Sequence, residues 1–219
     1  MKVLFVGNSA TSVHQIPKLF ERLCNQLELN VQTDQIIPSS FTLAKHADEK
    51  TEHGAMVLET IKNGYDYVVL QENTNCIADE ERSERCKAAC KKLSEAIKNS
   101  GAKVVYYVRP PVGYEKFGST PVEQCKKLDL LFSEIAEETD GICAYVNRAF
   151  EVALTQTDLR LHGPDNAHNS EYGAYLVASV IVAAITGRSP MELDYDGLDK
   201  DKAQILQKIA NDVAQGNKE

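Results

Sequence analysis

A chain of 219 residues with 43% hydrophobic and 26% charged residues suits one soluble domain, spanning 1–219. A chain of this size buries about 70% of the surface its unfolded form exposes. The formal net charge of -8, with Lys91-Lys92 and Lys126-Lys127 set among acids, excludes a polyanion-binding stripe, so nucleic acid is not an expected partner.

The chain opens with the apolar run Val3-Leu4-Phe5-Val6, which stops at Gly7-Asn8-Ser9. That run is too short for the apolar core of a secretory leader, and a cytoplasmic location is expected. Five runs rich in Val, Ile, Leu or Tyr are predicted as strands: 2–6, 31–37, 67–70, 103–108 and 142–146. Most lack polar alternation, as strands covered on both faces do. Between them lie helical stripes, Ile16-Leu19-Phe20-Leu23-Leu27 and Leu128-Leu131-Phe132-Ile135, and a charged helix over 80–99 closed by Ser100-Gly101. The apolar stretch 174–185 is too short for a membrane span and contains Ser179, so it reads as a buried helix. This alternation predicts an α/β domain: a three-layer α/β/α, flavodoxin-like parallel five-stranded sheet with right-handed crossovers. Ligands of such sheets bind beyond the carboxyl ends of the strands. Cys24, Cys76, Cys86, Cys90, Cys125 and Cys143 include no CxxC pair and no zinc-like quartet; all six are expected as reduced thiols.

Two segments carry chemistry. Gly7-Asn8-Ser9-Ala10-Thr11 ends the first strand, where a sharp turn at Gly7 would present the Ser9 hydroxyl at a helix N-terminus. Alternatively Ser9 or Thr11 only caps that helix; a phosphate-cradling loop would want GxGxxG or GK[ST], which are absent. Asp165-Asn166-Ala167-His168 precedes the apolar helix near the C-terminus. An Asp three residues before a His can bond Nδ1 and leave Nε2 to activate a serine. The alternatives are a turn-capping Asp165 with a surface His168, or a metal pair, for which no further ligand is poised.

Together these motifs resemble the SGNH (GDSL-type) hydrolases, over most of the chain. The resemblance is closest to a subgroup with GNS in its first block, Leu-Gln-Glu ending its third strand and Asp-x-x-His in its last block. Here these are Gly7-Asn8-Ser9, Leu70-Gln71-Glu72 and Asp165-Asn166-Ala167-His168, followed by Ser170 and Gly173. The resemblance implies a serine esterase with Ser9 as nucleophile, His168 as base and Asp165 as orienter, acting on a small-molecule acyl ester. No metal, organic cofactor or membrane is implied. It also implies an oxyanion hole from the backbone N–H of Ser9 and Ser40 and the Asn73 side chain. Ser40 stands where the family has Gly, and donation from it requires a loop free of positive φ. Asn75 or Gln71 could replace Asn73 after a slip in the loop.

Of the other histidines, His14 reads as surface at a helix entry, His46 and His53 as solvated beside Asp48, Glu49, Lys50 and Glu52, and His162 as a loop residue near the site. Arg109-Pro110-Pro111 reads as a rigid turn rather than a charged anchor. The rival readings are a non-catalytic small-molecule binder with a disabled site and a flavodoxin-like nucleotide or phosphate binder. Substrate and oligomeric state are not legible.

Overall fold

The computed structural model describes residues 1–216 and contains a five-stranded parallel sheet; the last three residues of the expected domain lie outside the described residues. The strands are β1 (Lys2–Val6), β2 (Gln32–Ile36), β3 (Tyr67–Leu70), β4 (Lys103–Tyr107) and β5 (Ile142–Ala144). They lie in the order β2-β1-β3-β4-β5, every neighbouring pair parallel. The helices are α1 (Ser9–Ser12), α2 (Ile16–Gln26), α3 (Leu43–His46), α4 (Glu52–Ile61), α5 (Glu80–Asn99), α6 (Pro121–Thr139), α7 (Val146–Gln156), α8 (Glu171–Thr186) and α9 (Lys200–Gly216).

Successive strand side chains point to opposite faces, and each face has its own core. Val3, Phe5, Val69, Val105 and Tyr107 pack with α2, α7, α8 and α9, whereas Leu4, Val6, Val68, Leu70 and Tyr106 pack with α4, α5 and α6. Both sets are apolar because both faces are covered, which is why strict alternation is missing from the sequence. Three strands are shorter than expected: β2 begins at Gln32 and stops at Ile36, β4 stops at Tyr107, and β5 stops at Ala144. Val31 is held outside β2 by the Asn25 side chain, which accepts from its N–H at 2.6 Å and donates to its carbonyl at 3.1 Å. Val146 is the first residue of α7, which cuts β5 to three residues.

The apolar C-terminal stretch forms α8, buried on nearly every side; the Ser179 hydroxyl donates to the Tyr175 carbonyl and so brings no unpaired donor into the core. No helix among the described residues is long and apolar enough to cross a membrane. The Leu161 carbonyl approaches Gly173 so closely that a Cβ there would lie 2.1 Å from its oxygen. This contact explains the glycine after Asp-x-x-His, since it seats the loop directly on the first turn of α8.

Connections run outward on opposite sides of β1 and β3, because β2 flanks β1 and the later strands follow β3. A crevice opens at the carboxyl ends of such strands. The segments after β1, β2, β3 and β4 converge there.

Candidate active site

The nucleophile loop is shaped by polar side chains brought from other segments. The Gly7 N–H still donates to the Ile36 carbonyl at 3.1 Å, in register with β2. Asn8 is extended, and its Oδ1 accepts from the Ala10 amide at 3.1 Å. Asn8 is thus the cap of α1, while Ser9 is the first helical residue, its N–H carrying no intrahelical bond. Gly7 does not have positive φ. Its need is space: a Cβ would sit 2.8 Å from Gln71 Oε1, which accepts from the Asn8 N–H at 3.0 Å and the Thr11 hydroxyl at 2.9 Å.

Asp165, Ala167 and His168 form a tight turn around the Asp165 carboxylate. Oδ1 accepts from the Ala167 and His168 amides, both at 3.0 Å, and Oδ2 accepts from His168 Nδ1 at 2.6 Å. The His168 side chain, then the His168 and Ala167 amides, hold the Asp165 carboxyl well below the usual carboxylate range. It is therefore ionised throughout the neutral range. A bond from Nδ1–H to a carboxylate assigns the tautomer that leaves Nε2 as an acceptor, and Nε2 lies 3.0 Å from Ser9 Oγ. The structure thus brings together Ser9, His168 and Asp165, from opposite ends of the chain.

Packing from behind fixes this turn. Gly113 N–H donates to the Asn166 carbonyl at 2.7 Å, and the Arg109 guanidinium donates to the Ala167 carbonyl at 3.2 Å. Arg109 is 7% exposed, so the expectation of a turn residue there is corrected: it is a buried anchor for the histidine loop. His162 is also buried, and its Nε2 donates to the Pro111 carbonyl at 3.0 Å.

Among the candidate oxyanion donors the geometry separates three side chains. Gln71 is 1% exposed, with Oε1 held by Asn8 and Thr11 and Nε2 donating to the Glu72 carbonyl, so it is fixed in the interior away from a ligand. Asn75 is exposed, and its Oδ1 accepts from Lys116 Nζ at 2.9 Å. In Asn73, Oδ1 accepts from the Asn75 amide at 2.8 Å, which leaves the Nδ2 end for a ligand. Ser40 departs from its expectation: the loop does take positive φ there, 62°. It keeps a glycine-like path with a serine, a strained left-handed conformation that costs roughly 1–2 kcal/mol. The strain leaves the N–H in place and without an acceptor among the described residues, so Ser40 remains a candidate donor despite the positive φ.

His46 and His53 are corrected too. His46 is 0% exposed, its Nε2 donating to the Gly7 carbonyl at 2.8 Å and its Nδ1 accepting from His53 Nε2 at 3.0 Å, with Phe41 against both rings. A buried imidazole thus holds the peptide two residues before the Ser9 hydroxyl. Burial pushes His46 down to about 4, against the opposing Gly7 bond and with His53 adding to the fall. The unfolded chain takes up this proton near 6.5 and the folded chain only near 4, so acidification through that window removes about 3 kcal/mol of stability. His46→Gln should lack that component; thermal melts of the two proteins with parallel pH dependence from 6.5 to 4 would contradict it.

His14 and Gln15 both have positive φ, 57° and 50°, and form an exposed knuckle after α1. With Val13, Arg160 and the His162–His168 loop, His14 lines an open cavity of about 560 Å³ beside the His168 imidazole. That volume lies within the range of small-molecule sites, about 300–1,000 Å³. Residues that could bind a metal do not cluster among the described residues.

The sequence matches no protein-family model and no curated protein. Solved structures do match. A protein from Slackia heliotrinireducens assigned to the SGNH hydrolases is 25% identical over 84% of this chain and 98% of its own, with a TM-score of 0.73. A DUF4886 family protein from Bacteroides uniformis is 14% identical with a TM-score of 0.82, over 100% of this chain and 96% of its own. The acetylxylan esterase Axe2 from Geobacillus stearothermophilus is 17% identical with a TM-score of 0.64, over 84% of this chain and 94% of its own.

Proposed function

The chain is a member of the SGNH hydrolase superfamily, and from that premise we propose a serine esterase that cleaves short acyl esters, acetylated carbohydrates among them. The observation that carries the reading is the continuous hydrogen-bond line from Ser9 Oγ through His168 to Asp165, at 3.0 and 2.6 Å. A hydroxyl is a weak nucleophile without a base in reach, and a base in the wrong tautomer cannot accept its proton.

In the proposed cycle the Ser9 proton passes to His168 Nε2 as Oγ bonds to the ester carbonyl carbon. Asp165 stabilises the imidazolium. The N–H groups of Ser9 and Ser40 and the Asn73 Nδ2 receive the oxyanion. The tetrahedral intermediate collapses with loss of the alcohol, which takes its proton from His168. Water then attacks the acyl-serine, His168 takes a water proton and returns it to Ser9 Oγ, and the carboxylic acid leaves. Each step uses only these groups and water, so the cycle calls on no metal or organic cofactor.

The leaving alcohol must lie on the His168 side, where the cavity is lined by Val13, His14 and Arg160. The His14 and Arg160 side chains on its largely apolar wall offer hydrogen-bonding groups to a hydroxylated leaving group, and a neighbour by fold is an acetylxylan esterase. The six cysteines are free, in keeping with the proposed cytoplasmic setting.

A graded panel of p-nitrophenyl esters, run beside acetylated xylo-oligosaccharides, tests the substrate class. Acetate and butyrate should exceed decanoate in kcat/KM by at least about tenfold, and the oligosaccharides should release acetate. A profile that rises with chain length would contradict a short-acyl site.

A further inference from the structure

Gln71 and Glu72 follow β3, and the nucleophile loop accounts only for Gln71. Glu72 is 4% exposed and forms no ion pair among the described residues. Its Oε2 accepts from the Leu43 amide at 2.8 Å, and its Oε1 accepts from the Asn73 amide at 2.6 Å. Leu43 opens α3, three residues after Ser40; Asn73 is the side-chain candidate for the oxyanion hole. One carboxylate therefore joins the two separate segments that supply the oxyanion donors.

We propose that Glu72 is a positioning residue of the oxyanion hole, its carboxylate fixing the Ser40 loop against Asn73 by holding the Leu43 and Asn73 amides at once. This rests on the esterase reading and adds a residue to it. Each carboxylate oxygen faces an N–H, so both are needed as acceptors. A proton on either oxygen makes that oxygen a donor and a much weaker acceptor, so the bond to one of those amides weakens. The tie is therefore strongest in the ionised form.

The groups facing Glu72 set where that form is lost. They are Arg109 beyond β4, Cys76 in the turn after Asn73 and Cys86 on α5, while Arg82 and Arg85 of α5 line the small cavity that Glu72 also borders. Burial raises Glu72 to about 7, and the two amides and Arg109 only partly oppose it. The tie thus loosens as pH falls through the neutral range, independently of the protonation of His168.

The test uses two readouts. In the wild-type protein, the backbone amide resonances of Leu43 and Asn73 should titrate together with one midpoint near that of Glu72. In Glu72→Gln, ester hydrolysis should show kcat lowered about tenfold or more with KM changed less than about twofold, as for a displaced oxyanion donor. The acid limb of its kcat profile should lose the Glu72 inflection. Amides that move independently in wild type, or a Glu72→Gln protein with unchanged kcat and pH profile, would overturn the proposal while the esterase reading stands. The amide titration decides the structural tie even if the variant fails to fold. A wild-type protein that hydrolyses no ester at any pH would instead overturn the esterase reading, and this proposal with it.

Discussion

Asp165→Asn is expected to lower kcat about 10⁴-fold without changing the fold, measured as ester turnover beside a thermal melt. The reason is a single hydrogen. Asparagine can keep an oxygen toward the Ala167 and His168 amides, as Asp165 Oδ1 does, so the turn can survive. Its Nδ2 then faces His168 Nδ1 and donates where the carboxylate accepted. The imidazole must move its proton to Nε2, which turns a donor toward Ser9 and removes the base. Asp165 is half exposed, so the substitution exposes no core and should move the melting temperature little. Turnover within tenfold of wild type would remove Asp165 from the mechanism.

Ser9→Ala is expected to reduce turnover to background, a loss of at least about 10³-fold. Ser9 carries no capping duty, because Asn8 closes α1, and its hydroxyl is paired with His168. The variant should therefore fold with stability within about 0.5 kcal/mol of wild type, so that lost activity reflects lost chemistry. Background-level turnover together with an unchanged melt is the expected pair of results. Retained turnover in a clean preparation would mean that another nucleophile does the work.

The architecture was legible because apolar periodicity is local. The unbroken strand runs, the stripe over Ile16 to Leu23 and the stop at Ser100-Gly101 all report burial within a few residues of sequence. The Ser9 and His168 segments were legible as a pair of motifs, though no local pattern could show that they meet, and the structure places them 3.0 Å apart. What escaped was polar burial. His46 sits beside exposed Asp48, Glu49 and Lys50, and by composition it reads as solvated. Its partner is the Gly7 carbonyl, 39 residues away in sequence, and only the path from β2 into α3 turns the ring inward. Arg109 was hidden for the same reason, since its partner carbonyl belongs to Ala167. Gly7 was noticed for a sharp turn, whereas its missing Cβ also makes room for Gln71, which no local pattern shows. Glycines and buried polar side chains answer to distant neighbours, which is where a sequence read window by window runs out.

Covalent labelling by a fluorophosphonate tests the Ser9–His168 pairing most directly, because it requires an activated hydroxyl and no knowledge of the natural ester. Mass spectrometry of the treated protein should find one adduct per chain, on the peptide containing Ser9, with none in Ser9→Ala. An unlabelled wild-type protein at high reagent concentration, or an adduct on another residue, would contradict the assignment.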